Sequence, residues 1–188
     1  MPVMPHSNVI LLVGLPGVGK TTLATALAAR LGAEILSRDL IRDAIFPDRW
    51  LDYSPEQNQV GTDALMAVLG YLLKRHRPPF LIIDGKPFSR AREVETILSL
   101  AAEHGAAVRV LHCDAPLDVI RERLARGLAQ PVNQRAERTP QKAERIHGAF
   151  EPLAVPHLRL DMTTPLDDTV ALAAAYVEGR PGLSASGS

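Results

Sequence analysis

Five short apolar runs recur along the chain, and segments with helical signals separate them. Val9–Val13 is the first, a continuous run of the kind that forms a strand buried on both faces. Lys20–Leu31 follows as an Ala-rich helix closed by Gly32, and Glu34–Leu36 is a short second strand. Ser54-Pro55-Glu56-Gln57 has the form of a capping box, with Ser54 as N-cap, proline at the first helical position and Gln57 three residues after the cap. It opens a helix to about Arg75, whose apolar positions Val60, Ala64, Val68 and Leu72 read as the face toward the core. Pro78-Pro79 breaks the chain before a third strand, Phe80–Ile83. Ser89 is placed to cap a helix to about His104, where Gly105 stops it. Ala107–His112 is the fourth strand, and a helix over Pro116–Arg126 follows with Asp114 as its cap. Residues 127–139 are polar and irregular. A helix over Pro140–Phe150, a fifth strand over His157–Leu160 and a last helix over Leu166–Val177 complete the pattern. The end, Gly179–Ser188, is rich in Gly, Ser and Pro and reads as a flexible tail.

Continuous apolar strands alternating with helices predict an α/β fold, a parallel sheet with helices on both faces. The 188 residues suit one domain over 1–178 with the tail 179–188 outside it, and no internal repeat appears. Ligands of such sheets bind beyond the carboxyl ends of the strands, so the residues just after each strand are the candidates for chemistry.

The first strand runs directly into Gly14-Leu15-Pro16-Gly17-Val18-Gly19-Lys20-Thr21, the phosphate-loop pattern G-x-x-x-x-G-K-[ST] between a strand and a helix. Backbone N–H groups of a Gly-rich turn and a helix N-terminus form a concave cradle for polyphosphate. Gly14, Gly17 and Gly19 allow the backbone conformations the cradle needs, and Val18 and Thr22 complete the expected nucleotide-binding set. Lys20 is expected to reach the β- and γ-phosphates, and the Thr21 hydroxyl to sit on Mg²⁺.

Composition narrows the partners. Lys plus Arg and Asp plus Glu each number 21, so the formal charge is zero and gives no pointer to nucleic acid or a membrane surface. The single cysteine, Cys113, excludes an intramolecular disulfide and suits a reducing compartment; in an apolar strand it reads as a small buried hydrophobe. No apolar stretch reaches the ~18 residues that span a bilayer. Met1–His6 lacks the positive start of a signal peptide, so a soluble cytoplasmic protein is expected.

Three strands deliver an aspartate to the same edge: Asp39 after the second, Asp84 after the third and Asp114 after the fourth. Asp84 follows Leu81-Ile82-Ile83 in the manner of a Walker B strand, whose Asp holds Mg²⁺ directly or through water. The next residue is Gly85, not the water-activating Glu of many motor-type ATPases, and the chain has no Asn-Lys-x-Asp guanine motif. Both absences favour transfer of the γ-phosphoryl group to a bound acceptor over hydrolysis. Asp39 suits the role of general base toward an acceptor hydroxyl. Arg42, three residues on along a helical face, suits an anionic acceptor group or the transferring phosphoryl. Arg38 and Lys86 are further acceptor-side candidates.

Between Arg121 and Arg145 seven basic residues stand against three acidic ones, about +4 in a chain of zero net charge. With Gly127, Pro131 and Asn133 at its centre, this stretch has the composition of a lid (about 127–139) carrying arginines toward phosphate. Arg123 and Arg126, where helix gives way to loop, are its strongest candidates. Phe46, Trp50 and Tyr53 gather three of the eight aromatics within eight positions, which fits either local core or a pocket wall for the acceptor.

Together Gly14–Thr21, Ser37-Arg38-Asp39-x-x-Arg42, Leu81–Asp84 and Arg123-x-x-Arg126 resemble the small P-loop kinases of the AAA_33 group. That group takes in polynucleotide 5′-kinase domains, chloramphenicol- and zeta-toxin-type phosphotransferases, gluconate kinase and adenylylsulfate kinase. The resemblance covers about residues 8–175. It implies a three-layer P-loop fold with strand order 2-3-1-4-5, use of ATP and Mg²⁺, and phosphoryl transfer to a hydroxyl. Arg38-Asp39-x-x-Arg42 is most similar to the polynucleotide kinases, which by that match makes Asp39 the base and Arg42 the anchor of an acceptor phosphate. Those kinases carry Asp-Ala/Thr-Asn after the third strand, where this chain has Asp84-Gly85-Lys86-Pro87-Phe88. Adenylylsulfate kinase has a Pro-Phe sequence in its substrate loop, but its Asp-Gly-Asp after the second strand is missing here. Three functions therefore stand open: a kinase of a small hydroxyl-bearing molecule, favoured; a 5′-hydroxyl polynucleotide or oligonucleotide kinase; and a nucleotide-dependent regulator without phosphotransfer. The acceptor, the choice of ATP over GTP and the oligomeric state are not encoded in any motif.

Overall fold

The computed structural model describes residues 7–128 and 139–179, the last of the first stretch by backbone alone. Its elements alternate as β1 (Asn8–Val13), α1 (Lys20–Leu31), β2 (Glu34–Ser37), α2 (Arg38–Ile45), α3 (Pro55–Arg75), β3 (Phe80–Asp84), α4 (Ala91–Glu103), β4 (Ala107–Asp114), α5 (Leu117–Leu128), α6 (Pro140–Gly148), β5 (His157–Asp161) and α7 (Leu166–Val177). A single 3-10 turn, Asp48–Trp50, precedes α3. The centre of the segment read as a lid, 129–138, and the tail beyond Gly179 lie outside the described residues.

The five strands form one parallel sheet in the order β2-β3-β1-β4-β5, as the P-loop resemblance implies. β1 lies in the middle, with Val9 beside Leu81 on one side and Val108 on the other. Its side chains alternate between the two faces. Ile10 and Leu12 join the α1, α5 and α7 layer, while Val9, Leu11 and Val13 join the α3 and α4 layer. Each face therefore has its own core, and the one on the α1 side continues into the phosphate loop through Leu15 and Val18.

Several local readings are corrected. α3 turns Gly61, Leu65, Leu69 and Leu73 to the core, so the stripe through Val60, Ala64, Val68 and Leu72 is rotated one position away from it, and of these Leu72 packs against the core from its edge. Ser89 does not cap α4. The cap position is Arg90; the Glu93 carboxylate accepts from its N–H at 3.2 Å, and that of Glu151 accepts from the Ala91 N–H at 2.7 Å. Asp114 is the last residue of β4, where its carboxylate accepts from Arg159 Nε at 3.0 Å on β5, so it does not join the other two aspartates. α2 is a full helix directly after β2, capped by Ser37. No helix among the described residues is long and apolar enough to cross a membrane.

Candidate active site

The carboxyl ends of β1, β2, β3 and β5 open into one cleft of about 470 Å³. At its floor the chain leaves β1 through Gly14, whose φ is +147°. A Cβ here would overlap the carbonyl of Cys113 on β4, so only glycine lets the loop turn over the sheet edge. α1 begins at Gly19 with no side chain capping its first turn, which leaves the N-terminus of this 12-residue helix directed at the cleft. Lys20 Nζ lies inside the loop, donating to the carbonyls of Gly14 and Leu15 at 2.7 and 2.8 Å. Gly17, Val18, Gly19, Lys20, Thr21 and Thr22 all line the cleft.

Thr21 Oγ1 donates to Asp84 Oδ2 at 2.9 Å, so the loop and the Walker B strand meet as expected. The other carboxylate oxygen, Asp84 Oδ1, is buried and has no hydrogen-bond partner among the described residues. An ionised carboxylate held out of water costs free energy unless a cation or donor meets it. A hydroxyl, a carboxylate and an orphaned oxygen at the mouth of a phosphate cradle match the donor set of Mg²⁺.

Asp39 reaches the same cleft from the first turn of α2. Its Oδ1 lies 3.1 Å from Arg38 Nη2 and 3.6 Å from Arg42 Nη1. The two arginines diverge in what else they touch. Arg38 lines the cleft and donates through Nε and Nη2 to the Gly85 carbonyl at 3.1 and 2.7 Å. Arg42 is 0% exposed, does not reach the cleft, and is bound by Asp43 at 2.8 Å and by Asn58 Oδ1 at 2.6 Å, with the Tyr53 ring 4.5 Å from its guanidinium carbon. Arg42, expected at the acceptor or the phosphoryl, instead turns its donors to Asp43 and Asn58 in the α2–α3 packing. Asn58, which no motif singled out, accepts from Arg38 and Arg42 together.

Gly85 has a spatial reason to be glycine. Its φ is +90°, and a Cβ would stand 2.8 Å from the Asp39 nitrogen, 3.0 Å from that of Arg38 and 3.0 Å from Ser37 Oγ. The start of α2 fills the place where a catalytic Glu would project. Lys86 lines the cleft next to it, paired with Glu93 at 3.0 Å.

The remaining candidates separate. Arg123 lines the cleft, but its guanidinium ties the phosphate loop to the turn after β5, donating to Val18 O at 2.9 Å and Met162 O at 2.8 Å. Arg126 is exposed, paired with Glu122 one turn back, and is not among the lining residues. Trp50 is 60% exposed beneath the Arg49 guanidinium, and neither it nor Tyr53 reaches the cleft. Trp50 is therefore neither buried core nor part of the cleft lining.

A family model for the AAA domain matches residues 9–153, which takes in the phosphate loop, both cleft aspartates and four of the five strands. The chain belongs to the AAA domain family. No curated protein matches it. Among solved structures, this AAA-domain chain shares its fold with a candidate kinase from Chloroflexus aurantiacus, at 23% identity and a TM-score of 0.73 over 94% of this chain and 99% of that one. It is also similar to the Mycobacterium tuberculosis APS kinase CysC in complex with AMPPNP and APS, at 20% identity and 0.69 over 93% and 99%. A gluconokinase from Sinorhizobium meliloti is similar at 16% identity and 0.62 over 93% of both chains.

This AAA-domain cleft has a wall that the motifs left out. Met162, Thr164, Leu166 and Thr169, from the turn after β5 and the start of α7, line it, as does Lys142 of α6. The signal was available: the carboxyl-end rule applied to β1, β2 and β3 holds equally for β5. Cys113 is buried beneath the loop, and burial pushes its thiol up to about 12, which fits an inert core residue.

Proposed function

We propose that the chain is an ATP-dependent kinase that transfers the γ-phosphoryl group to a hydroxyl of a small-molecule acceptor. One observation carries the proposal: a carboxylate from a different strand end, Asp39 at the start of α2, opens onto the same cleft as the phosphate loop and the Thr21–Asp84 pair. A nucleotide-binding regulator has no need of it. A cleft of about 470 Å³ is in the range of small-molecule sites.

In this scheme the loop N–H groups and Lys20 would hold the polyphosphate, and Thr21 and Asp84 would hold Mg²⁺. When bound, that ion neutralises charge on the phosphates. Asp39 orients the acceptor hydroxyl and takes its proton as the acceptor oxygen bonds to the γ-phosphorus and the bond to the bridging oxygen of ADP breaks. Arg38, between Asp39 and the Gly85 carbonyl, is the cleft-facing cation for an anionic acceptor group. Lys86 is the second. Arg42 supports Asp39 from behind.

The test is a screen of hydroxyl-bearing metabolites and a 5′-hydroxyl oligonucleotide, each incubated with ATP or GTP and Mg²⁺ and read as a mass gain of one phosphoryl group. A phosphorylated small molecule supports the proposal. Phosphorylation of the oligonucleotide alone, or ATP binding with no product across the panel, overturns it.

A further inference from the structure

α3 is 21 residues long, about 31 Å, and among the described residues it is packed on three sides. Its core side carries Leu65, Leu69 and Leu73. Gly61 lies against Arg38 and Arg42 of α2, and Gly70 lies against Leu100 and His104 at the α4 end. The fourth side is apolar as well. Val60, Ala64, Ala67 and Tyr71 follow one another at spacings of four, three and four residues, the repeat of a helix–helix seam. Val60 is 44% exposed and Tyr71 is 58% exposed, and Val68 beside them is exposed too.

Charge is arranged unevenly along the same side. Glu56 and Asp63 flank the N-terminal half of the stripe, and Lys74 flanks the C-terminal half on the same edge; all three are exposed. A helix that is acidic at one end and basic at the other is complementary to itself when two copies run antiparallel.

We propose that α3 is the seam of a two-fold dimer of this chain, with the two α3 helices antiparallel and the axis passing between Leu65 and Met66. That register places Val60 against the partner's Tyr71 and Ala64 against the partner's Ala67. The small alanines at the centre allow the helix axes to approach closely, and the larger side chains fill the ends. Glu56 then lies beside the partner's Lys74, and symmetry makes the contact twice. No residue of α3 lines the phosphate-loop cleft, so the seam leaves it open.

Sedimentation velocity over about 1–200 µM tests this directly, since a seam one helix wide belongs with the weaker interfaces. The wild-type weight-average mass should climb from monomer toward dimer. Ala67→Glu, an exposed position whose substitution leaves the monomer's melting curve unchanged, should raise the dissociation constant at least ~30-fold. Glu56→Lys should weaken the dimer by placing two lysines side by side, and Glu56→Lys with Lys74→Glu should restore it. A wild-type protein that stays monomeric throughout overturns the proposal. A dimer indifferent to Ala67→Glu overturns it by placing the interface elsewhere. Failure of the double variant to recover overturns the antiparallel register.

Discussion

Gly85→Ala is the substitution whose effect the structure specifies most fully. Two separable costs arise. A side chain at φ +90° is in a left-handed region that L-residues avoid, worth about 1–2 kcal/mol. The new Cβ would also stand 2.8 and 3.0 Å from the backbone nitrogens of Asp39 and Arg38, which cannot swing aside as the nearby Ser37 Oγ can, so β3 and α2 must part. Overpacking of this kind costs about 1–3 kcal/mol. The total of about 2–5 kcal/mol corresponds to a fall in Tm of roughly 4–20 °C for a domain of this size. Gly105→Ala is the control, because its φ is +67° but nothing lies within 4 Å of the added Cβ, so it carries the conformational cost alone. Melting both variants by circular dichroism should show Gly85→Ala losing clearly more than Gly105→Ala. Function should separate them further. Parting α2 from β3 disturbs the Arg38–Gly85 bonds and moves Asp39, and a displacement of ~1 Å at a reacting group can cost ~10²-fold in turnover. Equal melting shifts in the two variants, with turnover intact in Gly85→Ala, would refute the close packing of α2 against the Walker B strand.

Arg42→Ala should lower stability by about 3–5 kcal/mol in urea titration, because it leaves Asp43 without its cation, takes the weaker of two arginines from Asp39 and empties a fully buried site; a variant of wild-type stability that loses only turnover would return Arg42 to the acceptor. Cys113, buried with its thiol pushed up to about 12, should react with a thiol reagent at pH 8 only as fast as the domain opens, and saturating ATP should slow it further; rapid labelling of the native protein would contradict that placement. Burial holds His112 below its usual value of 6.5, so its neutral ring contributes fully above that value and the contribution is lost as pH falls from 6.5 through the lower folded value. His112→Phe should therefore lose less stability than wild type between about pH 7.5 and 5 in urea titrations, and an identical loss would mean that the ring is not shielded.

What could be read from the sequence was whatever rests on local chemistry. The positions of the phosphate loop and the Walker B aspartate and the bounds of α1 and α7 depend on short-range signals and carried over to the fold unchanged, while the strand order came through the P-loop resemblance alone. Misreadings came where tertiary packing chooses between equal local options. On α3, two apolar stripes offset by one position compete for the core, and the leucine stripe, which brings more apolar surface to the sheet, wins it. Arg42 has the spacing of a ligand-binding arginine, yet Asn58 and Asp43 claim its donors from positions that spacing cannot reveal. Gly85 reads as a missing catalytic Glu, and only the three-dimensional approach of α2 shows that no side chain fits there.

The central claim is that one cleft holds a phosphoryl donor through the loop and a separate acceptor through Asp39. Asp39→Asn, compared with wild type for both ATP affinity and phosphoryl transfer to the acceptor found by screening, tests it most directly. The account predicts ATP affinity within about 3-fold of wild type and transfer lower by roughly 10²–10⁴-fold. Near-normal transfer in Asp39→Asn, or loss of ATP binding in step with transfer, would contradict it.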